Sequence, residues 1–216
     1  VSPESFYAGS VRTGDEPIAE AAASAEEAGA ALLDIGAMST APYKETWITP
    51  EEEAARLTDA IAAARSACSL PISADTQRAS VAEAALDAGA VVINDVTGLR
   101  ADPDMGPLIA SRKAAVILMA NDDPELDEQD RSPAQVVRGL LEEALDRAAL
   151  AGIRGDRIIL DPGFGFFRHR SIPWYEFDLD LLRDVSLYQE LGLPLLIGVS
   201  RKSFFSKMLG EKEAAD

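Results

Sequence analysis

The feature that most constrains this chain is a repeated alternation. Short apolar runs lie near residues 31, 71, 91, 115, 158 and 195, six in all, and stretches of helical composition separate them. Runs of this length without polar alternation read as strands buried on both faces. The passage from helix to strand carries a recurring phrase. It is Ala28-Gly29-Ala30 and Ala88-Gly89-Ala90, with weaker echoes at Ala151-Gly152-Ile153 and Leu191-Gly192-Leu193. A glycine there ends a helix through its left-handed backbone. Strands that alternate with helices imply a parallel sheet with right-handed crossovers. Two architectures satisfy that rule, an open doubly wound sheet and a (β/α)8 barrel. No Gly-x-Gly-x-x-Gly follows the first strand, which weakens the dinucleotide-binding version of the open sheet.

Helices are expected over 15–29, 50–67, 78–87, within 105–112, over 132–151 and over 180–191. Strands are expected over 30–36, 70–74, 90–93, 114–119, 157–160 and 195–199. The second helix has the clearest start: Thr49 as cap, Pro50 at the first helical position, and Glu52 closing a capping box. Residues 121–131 form an acidic, solvated loop and residues 168–177 a polar and aromatic one. The 216 residues are read as a single domain, 47% apolar, with no apolar run long enough to span a bilayer.

A net charge of −17 argues against nucleic acid and anionic membranes as partners. An anionic substrate would then need a local cationic cluster. The one cysteine, Cys68, excludes an internal disulfide, and the one histidine, His169, excludes a site needing two. No basic-then-apolar leader opens the chain, so a cytoplasmic setting is expected.

The strand ends carry the chemistry. Asp34, Asp75, Asn94, Asp161 and Lys202 each stand at or near the carboxyl end of a different strand. One such Asp is commonly a turn or a helix cap. Five polar groups on five strands suggest the ring of a barrel mouth, where the ligands of this architecture bind. In the last stretch, Pro194 to Phe205, the group Ser200-Arg201-Lys202-Ser203 places two cations and two hydroxyls between a buried strand and a helix.

These residues resemble the dihydropteroate synthase family across essentially the whole chain. The matching stretches are Val1-Ser2-Pro3-Glu4-Ser5-Phe6, Leu33-Asp34-Ile35-Gly36 with Ser39-Thr40 and Pro42, and Ile72-Ser73-Ala74-Asp75-Thr76. They continue as Val92-Ile93-Asn94-Asp95-Val96-Thr97-Gly98-Leu99, Ile159-Leu160-Asp161-Pro162-Gly163-Phe164-Gly165-Phe166 and Gly198-Val199-Ser200-Arg201-Lys202-Ser203-Phe204. The resemblance implies a (β/α)8 TIM barrel, of which this chain carries strands two to seven, so a piece of a longer protein is expected.

It implies a transferase that joins a hydroxymethyl-dihydropterin pyrophosphate to p-aminobenzoate and releases pyrophosphate with Mg2+. By the same resemblance Asp75, Asn94, Asp161 and Lys202 bind the pterin, and Asp75, Asp161 and Lys202 form the catalytic set. Ser203 receives the aminobenzoate carboxylate, Phe166 and Pro42 wall its pocket, and Thr40 lies in the pyrophosphate loop. No metal ligand is assigned in this chain, because the family's metal-binding asparagine precedes the position of Val1. A homodimer is the family's common assembly.

The chain departs from the pattern at Met38 and Ala41 around Ser39-Thr40, at Ala120-Asn121 after the fifth family strand, and at Phe167-Arg168, where Arg168 stands for a lysine. Three readings follow: a synthase, including a methanopterin-type relative with a larger amine; a pterin-binding methyltransferase domain; and a non-catalytic pterin-binding homologue.

Overall fold

The structure is a computed structural model that describes residues 13–39, 47–121, 131–168 and 172–199. Its elements alternate as expected. They are α1 (Asp15–Glu27), β1 (Leu33–Gly36), α2 (Pro50–Ala67), β2 (Ile72–Asp75), α3 (Ala79–Ala88) and β3 (Val92–Asp95). After these come α4 (Met105–Arg112), β4 (Ala115–Met119), α5 (Pro133–Leu150), β5 (Ile158–Asp161), α6 (Trp174–Arg183) and α7 (Ser186–Gln189).

Among the described residues the five strands are all parallel, and their order in the sheet is β1-β2-β3-β4-β5. A doubly wound sheet reverses its strand order at a switch point. An unbroken sequential order is the wall of a barrel. A further parallel segment lies beside β5. Leu160 donates to Pro194 O at 2.9 Å and accepts from Leu196 N at 2.8 Å, and Leu160 bridges to Leu195. The strand expected over 195–199 is thus reduced to a single bridge, because among the described residues it is paired on one side only.

Alternation sorts the strand side chains into two layers. Leu33, Ile35, Ile72, Ala74, Ile93, Val116, Leu118 and Leu160 pack into the main core with α2, α3, α4 and α5. The intervening residues face the other way. Toward the carboxyl ends these are Asp34, Gly36, Asp75, Asn94 and Asp161, and deeper in the wall are the apolar Val92 and Ile117. The strands therefore do alternate, but between helix layer and lumen rather than between core and open water.

The helix starts follow local chemistry. Thr49 Oγ1 accepts from Glu52 N at 3.2 Å, but the expected box is only half made, because Glu52 Oε1 pairs with Arg56 at 2.6 Å instead. Ser132 and Gln135 make the full reciprocal box at the start of α5. Gly89 ends α3 with φ +110°, its N–H reaching both Ala85 O and Leu86 O.

Two boundaries differ from expectation. The helix expected over 180–191 is instead α6 and α7, separated at Asp184, and the expected loop over 168–177 yields its end to α6. Phe177, Asp178 and Leu181 form the buried side of α6, a helical spacing that the aromatic cluster masked. No helix among the described residues is long and apolar enough to cross a membrane.

Candidate active site

The register of the strands assembles the site. Asp34 lies beside Ser73, and Asp75 lies between Gly36 and Asn94. Asn94 Nδ2 donates to Asp34 Oδ2 at 3.1 Å, so three consecutive strands share one polar cluster. Gly36 leaves room for it: a Cβ there would stand 3.3 Å from Asp75 Oδ2. The Ser73 hydroxyl is buried beside Asp34 without a formed hydrogen bond among the described residues.

Asp75 is the most perturbed member. Its Oδ1 is fully covered and has no hydrogen-bond partner among the described residues. Burial pushes its carboxyl well above the usual carboxylate range, and the neighbouring charges of Asp34, Glu53 and Asp95 push it further. Asp34 opens to solvent on its lumen side while protein crowds it elsewhere. That crowding also raises its carboxyl, with the adjacent Ser73 hydroxyl and then Asn94 acting in the opposite sense. Such crowding of acceptor oxygens is unfavourable in the unliganded protein, and a ligand presenting N–H donors would relieve it.

Asp161 ends β5 on the same rim. Its Oδ1 accepts from Gly163 N at 2.8 Å, and its main-chain oxygen accepts from Ala120 N at 2.8 Å. The following turn runs so close to Ala120 that a Cβ on Gly163 would stand 2.2 Å from the Ala120 carbonyl oxygen, and Gly163 has φ +75°. Only glycine fits that position. Phe166 is half-buried at the end of this turn, its N–H bonded to Gly163 O at 3.1 Å.

The structure thus brings Asp75 and Asn94 together and places Asp161 and Phe166 at the same end of the wall, two strands on. Thr40, Pro42, Lys202 and Ser203 lie outside the described residues.

Supporting residues carried weaker sequence signals. Glu53 of α2 is 1% exposed. It accepts from Thr76 Oγ1 at 2.7 Å and pairs with Arg78 Nη1 at 2.7 Å. The same Arg78 nitrogen reaches Ile48 O at 2.9 Å, tying the rim of β2 to the segment that precedes α2. Asp95, also 1% exposed, turns away from the lumen. It accepts from Thr97 N at 2.8 Å, Thr97 Oγ1 at 2.7 Å and Leu99 N at 2.9 Å. Burial raises its carboxyl, and these three donors oppose the rise. Glu53 was hidden within the acidic run Glu51-Glu52-Glu53, where only helical phase tells the buried member from the solvated ones. Asp34 was visible as a strand end, and its contact with Asn94 makes it part of the site.

Mg2+ was implied by the family resemblance. Among the described residues no group of three His, Cys, Asp or Glu side chains is placed to hold a metal ion.

Comparison with known proteins agrees with the geometry. The family model described as "Pterin binding enzyme" matches residues 1–216. A dihydropteroate synthase of Synechocystis sp. is 37% identical over 191 residues, which cover 87% of this chain and 64% of that enzyme. The chain therefore spans somewhat less than two thirds of that relative's length. Two solved structures superpose closely. The dihydropteroate synthase of Coxiella burnetii in complex with pteroic acid gives a TM-score of 0.84 at 31% identity, covering 98% of this chain and 74% of that one. The Xanthomonas albilineans enzyme in complex with 7,8-dihydropteroate gives 0.79 at 34% identity, with 98% and 74% covered. The sequential parallel wall is accordingly part of the TIM barrel of these enzymes. On the match of its whole length and the placing of its strand-end residues, this chain belongs to the pterin-binding enzyme family, among the dihydropteroate synthases.

Proposed function

We propose that the protein catalyses the dihydropteroate synthase reaction. In it, the methylene carbon of 6-hydroxymethyl-7,8-dihydropterin pyrophosphate is attacked by the amine of p-aminobenzoate. The C–O bond to pyrophosphate breaks, a C–N bond forms, and the amine loses a proton. The observation that carries this reading is the covered Asp75 Oδ1, which has no donor among the described residues and stands beside Asn94. A pterin edge offers N–H donors and ring acceptors in one plane, which suits a carboxylate next to an amide.

Asp75, Asn94 and Asp161 would hold that edge, and a carboxylate near the electron-poor methylene would stabilise its developing positive charge. Phe166 would wall the amine pocket with Pro42. Lys202 and Ser203 would supply the cation and hydroxyl for pterin and aminobenzoate, and Thr40 would meet the pyrophosphate. No covalent nucleophile is required, so catalysis would be positional and electrostatic. Mg2+ bound with pyrophosphate would neutralise leaving-group charge. A cytoplasmic homodimer is the setting this reading carries with it.

The test is titration calorimetry of the protein with the pterin pyrophosphate, wild type against Asp161→Asn, followed by a pyrophosphate-release assay with p-aminobenzoate. Binding that weakens by tenfold or more in the variant, about 1.4 kcal/mol, and release that needs the amine would support the proposal. Equal affinity in both proteins would remove Asp161 from the site. Absence of binding to the wild type would sink the reading.

A further inference from the structure

The peptide units around Gly165 are gripped from both sides. The Gly165 N–H donates to Asp178 Oδ1 at 2.9 Å. The Gly165 carbonyl accepts from Arg168 Nε at 2.9 Å. Asp178 belongs to α6 and is 1% exposed, between Phe177 and the buried Leu181 in the helical pattern. A carboxylate on the apolar side of a helix costs stability unless donors compensate it. Helix propensity does not favour Asp in that position either. Its contact with the loop therefore calls for an explanation beyond the stability of α6.

The rest of α6 holds the same turn. Phe167 stacks on Phe177 with ring centroids 4.6 Å apart and planes at 17°. The Arg168 guanidinium lies 4.1 Å from the centroid of Trp174. The turn itself contains two glycines with positive φ, Gly163 at +75° and Gly165 at +82°. Such residues have little intrinsic preference for one path, so an external contact selects it. Phe166 follows directly, and Asp161 precedes by the bonded Gly163.

We propose that Asp178 is a positioning residue. By holding the Gly165 N–H it fixes Phe166, and through the turn Asp161, for the aminobenzoate and the pterin. This rests on the synthase reading given above. What the site requires of residue 178 is an acceptor oxygen at one place. Asparagine supplies it, and an apolar residue does not.

The test compares Asp178→Asn with two variants that lack the acceptor, Asp178→Ala and Asp178→Leu. The leucine variant suits the apolar side of α6 and keeps the experiment informative should the alanine variant not fold. In steady-state assays the acceptor-free variants are expected to raise KM for p-aminobenzoate and for the pterin pyrophosphate by about tenfold, with kcat changed less than about threefold. Asp178→Asn stays within about threefold of wild type in each of these constants. Amide hydrogen exchange without substrate gives an independent reading. Residues 163–168 exchange faster in the acceptor-free variants, while β3 and β4 keep their protection.

Wild-type KM and wild-type loop exchange in Asp178→Leu would overturn the proposal. So would an Asp178→Asn protein as impaired as Asp178→Leu. A wild-type protein that turns over neither substrate would instead refute the synthase reading, and exchange at residues 163–168 would still decide whether Asp178 holds the turn.

Discussion

At Asp75 the proposed pterin contact and the stability of the fold make opposite demands on one residue. Burial and the charges of Asp34, Glu53 and Asp95 raise its carboxyl. At pH between about 3.9, where the unfolded chain titrates, and the raised value, the folded protein holds a proton that the unfolded chain has released. Stability is fully present below that value and is lost as pH rises through the raised one. Asp75→Asn removes the charge and keeps the shape. It is expected to raise Tm at pH above the raised value and to flatten the fall of Tm with pH, while weakening pterin binding at least about tenfold. Paired melting curves and titrations check this, and an unchanged Tm would show the cluster to be relieved by other groups. Gly163 is constrained for a different reason. A Cβ there would stand 2.2 Å from the Ala120 oxygen at a left-handed φ of +75°. Gly163→Ala should destabilise by about 3 kcal/mol or more, read by urea unfolding.

At the scale of elements, the rim is built by contacts between helices and the loops that follow strands. Glu53 and Arg78 join α2 to the turn after β2, with Thr76 sharing the carboxylate. A pair with Glu53 at 1% exposure is costly to break singly, because the remaining charge stays buried. Arg78→Met is expected to cost about 3 kcal/mol or more, and Glu53→Gln/Arg78→Met together clearly less than the sum of the single changes. A double-mutant cycle by chemical denaturation measures it, and simple additivity would show the two side chains to be uncoupled. The elements themselves were largely legible. Pro50–Ala67 and Met105–Arg112 lie where the expected helices lie, because caps and apolar spacing are local signals. The start of α6 was not, because Trp174, Tyr175 and Phe177 read as a loop cluster until their packing partner is known.

For the whole molecule, the charge of −17 acts against compactness. The site concentrates part of it, with Asp34, Asp75 and Asp161 on one rim. Screening shortens the reach of that repulsion, from about 30 Å at 0.01 M salt to about 8 Å at 0.15 M. Tm at neutral pH is therefore expected to rise by several degrees between these salt concentrations, with sodium chloride as the salt. A falling Tm would show that surface pairs such as Arg56–Glu52 outweigh net repulsion.

The alternation, most strand positions, the caps and the polar strand ends were legible in the chain order alone, because each rests on near neighbours. Asp75, Asn94 and Asp161 were legible as strand-end residues from their place after apolar runs. Tertiary structure decided which way each strand residue faces and which strands adjoin. It set the open-sheet alternative aside through the sequential order β1-β2-β3-β4-β5. It also joined Asn94 to Asp34 across 60 residues of sequence and Asp178 to Gly165 across 13. Those contacts depend on register and helix phase, which a spacing pattern leaves open until the layers pack.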